Sequence, residues 1–283
     1  MMPSARAVPI ETRFVASDGA SLAVYAAGPR DDAAPPLVFL HAGVSDGRLW
    51  ADQFETFGRS RRVVAYDRRG YGATAAVDER FANVDDLWAV LDALSVQRAV
   101  LIGCSQGGRI ALDAALERPE RVAALVLVAA AIGGAPAAPD DPRLQALIAA
   151  AEAAAASADV DAQNRIAAHV WLDGPFAPEG RVGGSRRDLF LAMNRIVLEG
   201  PKLGTPIVPD TAYARLAEVA VPTLVVWGPL DVPGAIANMR HAAATIPGAR
   251  AVEIAGVAHL PSLEAPERFD AVLGDFLQDA GHA

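Results

Sequence analysis

The sequence predicts an α/β protein built on a mostly parallel, open, eight-stranded sheet with a helical cap inserted late in the chain. Six short runs rich in Val, Leu and Ile each end in Gly, Asp or His. Segments of helical length separate most of them. The runs are apolar without alternation, as parallel strands covered by helices on both faces must be.

In chain order, "IETRFVAS" and "SLAVYAAG" flank Asp18-Gly19 and read as an antiparallel hairpin at the sheet edge. The six parallel strands follow at 35–43, 61–70, 98–108, 121–131, 221–231 and 249–259, which makes eight with the hairpin. Between the fourth and fifth of the six there are too many residues for one crossover helix. That stretch opens on the Gly/Pro-rich "GGAPAAPDDP" and continues into "RLQALIAAAEAAAASA", whose Ala, Leu and Glu content favours helix. Two further helical stretches lie near "DAQNRIAAHVWL" and "SRRDLFLAMNRIVLEG". Residues 1–132 and 217–283 are therefore expected to form the α/β core, and 133–216 the cap.

The 283 residues fit one large α/β domain carrying an insertion, and 52% hydrophobic with 21% charged residues describes a globular protein with a sizeable core. Net charge is −9, and the basic residues are scattered except for the pairs Arg61-Arg62, Arg68-Arg69 and Arg186-Arg187, expected as solvated surface. Nucleic acid is excluded as a partner. The opening residues lack the apolar stretch of a signal peptide, and no uncharged apolar run reaches membrane-spanning length, so a cytoplasmic protein without membrane attachment is expected. Cys104 is the only cysteine, which rules out an internal disulfide. The five histidines, at 41, 169, 241, 259 and 282, show no HExxH pattern. Neither a metal nor a cofactor is expected, and monomer and homodimer suit the surface equally.

The chemistry-bearing stretch is "GCSQGG", Gly103 to Gly108, which fits Gly-x-Ser-x-Gly between a strand and a helix pattern. A serine on such a sharp turn needs glycines two positions away on each side, or side chains collide. The following helix directs its unpaired N–H groups and positive dipole end at the serine, where negative charge develops in acyl transfer. Ser105 alone is a poor nucleophile and needs a base oriented by a carboxylate. "TLVVWGPLD" brings Asp231 just past one strand, and "VEIAGVAH" brings His259 just past the next. Open parallel sheets build their sites at this carboxyl edge. His259 is then the base, and Asp231 holds its tautomer. A second oxyanion donor beside the N–H of Gln106 is expected from "FLHAGVSDGRLW", at Gly43 or secondarily Val44, with His41 bracing the loop. Strand alternation turns Cys104 away from Ser105, into the packing.

These residues resemble the α/β-hydrolase superfamily, in the group whose cap is inserted late in the sheet. The resemblance runs from "PPLVFLHAG" through "YDRRGYGAT", "GCSQGGRIALDAALERPERVAALVLV" and "PTLVVWGPLD" to "GVAHLPSLEAPERF". It implies Ser105 as nucleophile, Asp231 as acid and His259 as base. Members usually carry His-Gly before the oxyanion residue; here the dipeptide is His41-Ala42, with Gly43 in the donor position.

Substrate walls are expected from the cap, with Trp171, Phe176, Phe190, Met193 and Leu203 as candidates. The expected function is hydrolysis of a small to medium, largely apolar carboxylic ester or lactone through an acyl-enzyme. The same machinery serves enol-lactonases, carbon–carbon bond hydrolases and cofactor-free perhydrolases. A ligand-binding receptor on this fold is the alternative of another class.

Overall fold

The computed structural model describes residues 8–30, 34–137, 141–201 and 206–282. Its strands are β1 (Glu11–Ser17), β2 (Ala20–Ala27), β3 (Leu37–Leu40), β4 (Val63–Tyr66), β5 (Ala75–Ala76), β6 (Ala99–Cys104), β7 (Val122–Val128), β8 (Thr223–Trp227) and β9 (Arg250–Glu253). Eight of them run in the order β1-β2-β4-β3-β6-β7-β8-β9, while the two-residue β5, absent from the sequence expectation, pairs with β2. The β1–β2 hairpin is antiparallel and closes at Ser17↔Ala20, with Asp18 at φ 43. β2 also meets β4 antiparallel, and every pairing from β4 to β9 is parallel.

The helices are α1 (Ala51–Phe57), α2 (Asn83–Ala93), α3 (Gln106–Glu117), α4 (Pro142–Ala156), α5 (Val160–Ala168), α6 (Gly184–Glu199), α7 (Pro233–Thr245), α8 (Pro261–Glu264) and α9 (Pro266–Asp279). Period-two geometry splits each buried strand between two cores. Val38 and Leu40 of β3 face α2, α3 and α7 with Leu87, Ile110 and Met239. Leu37 and Phe39 face α1 and α9 with Phe54, Phe269 and Leu273. On that second face, the Phe39 ring lies 5.0 Å from Trp50, and Trp50 lies 6.1 Å from Phe269. β9 departs from the expected two-sided burial because it ends the sheet: its residues alternate between half-buried and exposed.

From β3 the chain passes to β4 on one side, whereas β6 lies on the other. The carboxyl ends of β3 and β6 therefore flank a point where the winding reverses, and open sheets form their clefts there. Between β7 and β8 stand α4, α5, a π-helical turn at His169–Asp173, and α6. Buried Asp173 ties this segment together: it accepts from Gly180 N at 2.8 Å and Val182 N at 2.9 Å and pairs with Arg187 at 2.8 Å. Arg181 fastens it to the core through Glu264 and the Gly256 carbonyl.

The arginine pairs at 61–62 and 68–69 are buried rather than solvated, between 3% and 8% exposed. A guanidinium tolerates burial when its planar donors find oxygens. Arg69 meets Asp86 at 2.9 Å and also pairs with Glu79, and Arg61 donates to the Pro35 carbonyl at 2.6 Å.

Candidate active site

β6 ends and α3 begins within one residue. Ser105 makes the turn at φ 53 and ψ −114, a left-handed conformation costing roughly 1–3 kcal/mol for a non-glycine residue. Its backbone is pinned on both sides: Ser105 N–H donates to Val128 O at 2.9 Å, and Ser105 O accepts from Ala131 N at 3.0 Å and Arg109 N at 3.1 Å. The glycines are required by backbone rather than by neighbouring side chains. A Cβ at Gly103 would lie 2.3 Å from Gly107 O, and one at Gly107 would lie 2.1 Å from Leu40 O. Gly108, outside the five-residue pattern, is equally constrained, since a Cβ there would sit 2.4 Å from the Ala130 Cβ.

Asp231 follows β8 and His259 follows β9, both almost fully buried. His259 Nδ1 meets Asp231 Oδ2 at 2.8 Å, and Asp231 Oδ1 accepts from Val232 N at 2.7 Å. With the carboxylate facing Nδ1, that nitrogen carries the proton and Nε2 remains an acceptor. The histidine backbone lies against the elbow, because Cys104 Sγ, one residue before Ser105, is 3.5 Å from His259 O. Among the described residues the Ser105 hydroxyl makes no hydrogen bond, and such contacts commonly tighten only with substrate bound.

Two residues that place the histidine were not singled out in the sequence. A Cβ at Gly228 would lie 2.1 Å from Val257 O, so this glycine lets the loop carrying Asp231 approach the loop carrying His259. Glu264, five residues past the histidine, accepts from Ala258 N at 2.8 Å and Leu260 N at 3.0 Å, clasping both neighbours of the ring. Burial raises the Glu264 carboxyl above its ordinary range, against the lowering effect of Arg181.

The backbone N–H groups of Gly43 and Gln106 donate to no acceptor among the described residues. Gly43 packs so closely on Gln106 that an added Cβ would lie 2.8 Å from its side-chain amide. His41 braces this loop through both ring nitrogens: Nδ1 meets Ala42 O at 2.8 Å, and Nε2 accepts from Arg68 N at 3.0 Å. Burial and then the Arg68 cation hold its pKa well below the ordinary value, so the ring is neutral. Cys104 is fully buried, and burial pushes its thiol well above the usual range.

Of the cap candidates, the structure brings Trp171 to the histidine, with ring centroids 4.6 Å apart. Phe190 and Met193 have no accessible surface and pack within the second core. Phe176 lies at the surface beneath the Arg143 guanidinium, 4.0 Å from its centroid. Leu203 lies outside the described residues. The hollow beside the Gln106 side chain has other walls: a cavity of about 440 Å³ runs along the α3 face of Gln106, Ile110 and Asp113, under residues 206–209, and reaches Arg68 and Ala131. The helical spacing of that face and the prolines of "TPIVPDT" were the available signals.

The described residues hold no cluster of metal ligands, and no helix among them is long and apolar enough to cross a membrane.

An elbow serine, a buried Asp–His pair and free amides, gathered where the sheet reverses its winding, define a class of fold and site. Residues 35–155 match the alpha/beta hydrolase fold family, and the chain has the fold of the α/β hydrolases. It is 27% identical to rhodomycin D methylesterase DauP of Streptomyces sp. (strain C5), over 93% of this chain and 96% of that protein. A 2-hydroxymuconate semialdehyde hydrolase of Pseudomonas sp. (strain CF600) is 39% identical, over 34% of this chain and 36% of its own. Among solved structures, Est816, an N-acyl homoserine lactone degrading enzyme, superposes with TM-score 0.73 at 28% identity, covering 93% of this chain and 99% of that one.

Proposed function

We propose that this protein hydrolyses a small to medium, largely apolar carboxylic ester or lactone through an acyl-enzyme on Ser105. The observation that carries this reading is the buried Asp231–His259 pair, 2.8 Å apart, seated against the strained turn that holds Ser105 out at the cleft. His259 Nε2 takes the hydroxyl proton as Ser105 Oγ bonds to the carbonyl carbon. The carbonyl oxygen, now anionic, is received by the N–H groups of Gly43 and Gln106; one such donor contributes about 10²–10³-fold in rate. The imidazolium, stabilised by Asp231, returns the proton to the departing alcohol oxygen. Water, activated by the same ring, then cleaves the acyl-enzyme to the carboxylic acid and frees Ser105.

The ester and lactone classes are supported by the nearly full-length likeness to a methylesterase and to a lactone-degrading enzyme. The test joins covalent labelling to turnover. A fluorophosphonate probe should label the wild type and not Ser105→Ala, and that variant should lose several orders of magnitude in rate across methyl esters, p-nitrophenyl esters and acyl lactones. Undiminished turnover by Ser105→Ala would refute the reading.

A further inference from the structure

The loop that carries Gly43 is held by a buried cation that the reaction scheme above does not use. Arg68 is 3% exposed, yet it forms no ion pair among the described residues, and its Nε is buried without a hydrogen-bond partner. Its other nitrogens go to the two segments that bear the free amides. One donates to Gln106 Oε1 at 3.0 Å, and the other to Ala42 O at 3.3 Å. Tyr71 completes the seat: its ring lies 4.3 Å from the guanidinium and 4.8 Å from the His41 ring.

The Ala42 contact matters because Ala42 C=O and Gly43 N–H belong to one planar trans peptide, whose carbonyl and amide point in opposite directions. Whatever fixes the carbonyl aims the N–H. That oxygen accepts from His41 Nδ1 at 2.8 Å, from the Ser45 N–H and hydroxyl at 3.3 Å each, and from Arg68. Arg68 alone among these donors is charged, since His41 is held neutral. A charge-assisted bond to a carbonyl polarises the whole peptide and makes its N–H a stronger donor. Among the described residues no carboxylate forms an ion pair with the guanidinium, so its bonds go to these two neutral oxygens.

We infer that Arg68 is a positioning residue for the reaction: by gripping the Ala42 carbonyl and the Gln106 side chain it aims and polarises the amide of Gly43 toward the anionic oxygen of the transition state. This rests on the serine hydrolase reading above. It acts through the Ala42–Gly43 peptide, so it strengthens an interaction made in the transition state more than one made with bound ester.

The test compares Arg68→Met, which keeps length and removes charge, with Arg68→Lys, which keeps charge and loses the fork. Active sites are counted by exhaustive fluorophosphonate labelling, so that misfolded protein does not enter the rates. Arg68→Met should lower kcat about 10- to 100-fold with KM within about threefold of wild type, and Arg68→Lys should recover part of the loss. A trifluoromethyl ketone, whose adduct places an anionic oxygen at Gly43, should weaken by the same factor as kcat/KM falls. An Arg68→Met kcat within twofold of wild type, a loss lying wholly in KM, or unchanged ketone affinity would overturn the inference. Should Arg68→Met fail to fold, Arg68→Gln against Arg68→Lys supplies the same contrast. Turnover that survives Ser105→Ala would overturn the serine reading and this inference with it, whereas the Arg68 outcomes bear on the inference alone.

Discussion

Replacing Asp231 by Asn tests the proton path at one atom. Val232 N–H donates to Asp231 Oδ1 at 2.7 Å, so an asparagine at this position keeps its amide oxygen there and presents its NH₂ to His259. Nδ1 must then accept, the ring proton moves to Nε2, and the nitrogen that should receive the Ser105 proton is blocked. The carboxylate charge is lost as well. With Nδ1 and Oδ2 at 2.8 Å, the charge centres of imidazolium and carboxylate lie about 4 Å apart, an interaction of about 4 kcal/mol at an effective dielectric near 20. That energy corresponds to about a thousandfold, and the wrong tautomer adds to it, so kcat per labelled site should fall about 10³–10⁴-fold. Steady-state hydrolysis of a p-nitrophenyl ester reads this directly, with circular dichroism to confirm folding. A folded Asp231→Asn protein whose kcat stays within tenfold of wild type would refute the role given to this pair.

Asp113, in the wall of the cavity along α3, has its carboxyl raised from 3.8 to about 6, by burial first and against the lowering effect of Arg109. Its proton binds more tightly in the folded state, so the stability it contributes is full below about pH 3.8 and is lost as pH rises through about 6. Asp113→Asn should therefore add roughly 1–2 kcal/mol at pH 8, after discounting for partial exposure, and little at pH 4. Urea denaturation at the two pH values measures this, and equal changes at both would count against it. Asp86→Ala strips the buried Arg69 of contacts at 2.9 and 3.0 Å and should cost about 3–5 kcal/mol in the same denaturation assay. Less than 1 kcal/mol would mean that Glu79 alone suffices. Cys104, fully buried with a raised thiol pKa, should resist iodoacetamide in the native protein and react once it is unfolded. Rapid native labelling would place the thiol at the cleft.

Much of this protein was legible before any coordinate. The six apolar runs all form strands in the parallel part of the sheet, and Asp18-Gly19 closes the hairpin, because strand burial and turn chemistry are local in the chain. Ser105, Asp231 and His259 could be picked out because residues at strand ends on the carboxyl edge need only the strand boundaries to be located. What escaped the sequence is whatever depends on a partner far along the chain. Arg61, Arg62, Arg68 and Arg69 read as solvated pairs, and only the folded chain brings carbonyls and carboxylates to bury them. Phe176, Phe190 and Met193 had the composition of pocket walls, but side-chain direction on the cap was decided by packing, which left one of them at the surface and two in the core.

The amino-acid order by itself determined the α/β architecture and the chemical inventory, since hydrophobic period and glycine spacing act over a few residues. Tertiary structure alone decided that Asp231 and His259 meet at 2.8 Å, that Gly228 lets their loops approach, and that the Arg68 guanidinium grips the Ala42 carbonyl behind Gly43. Those are distances between segments tens of residues apart in the chain, set by how two cores pack around one sheet, and no local propensity encodes them.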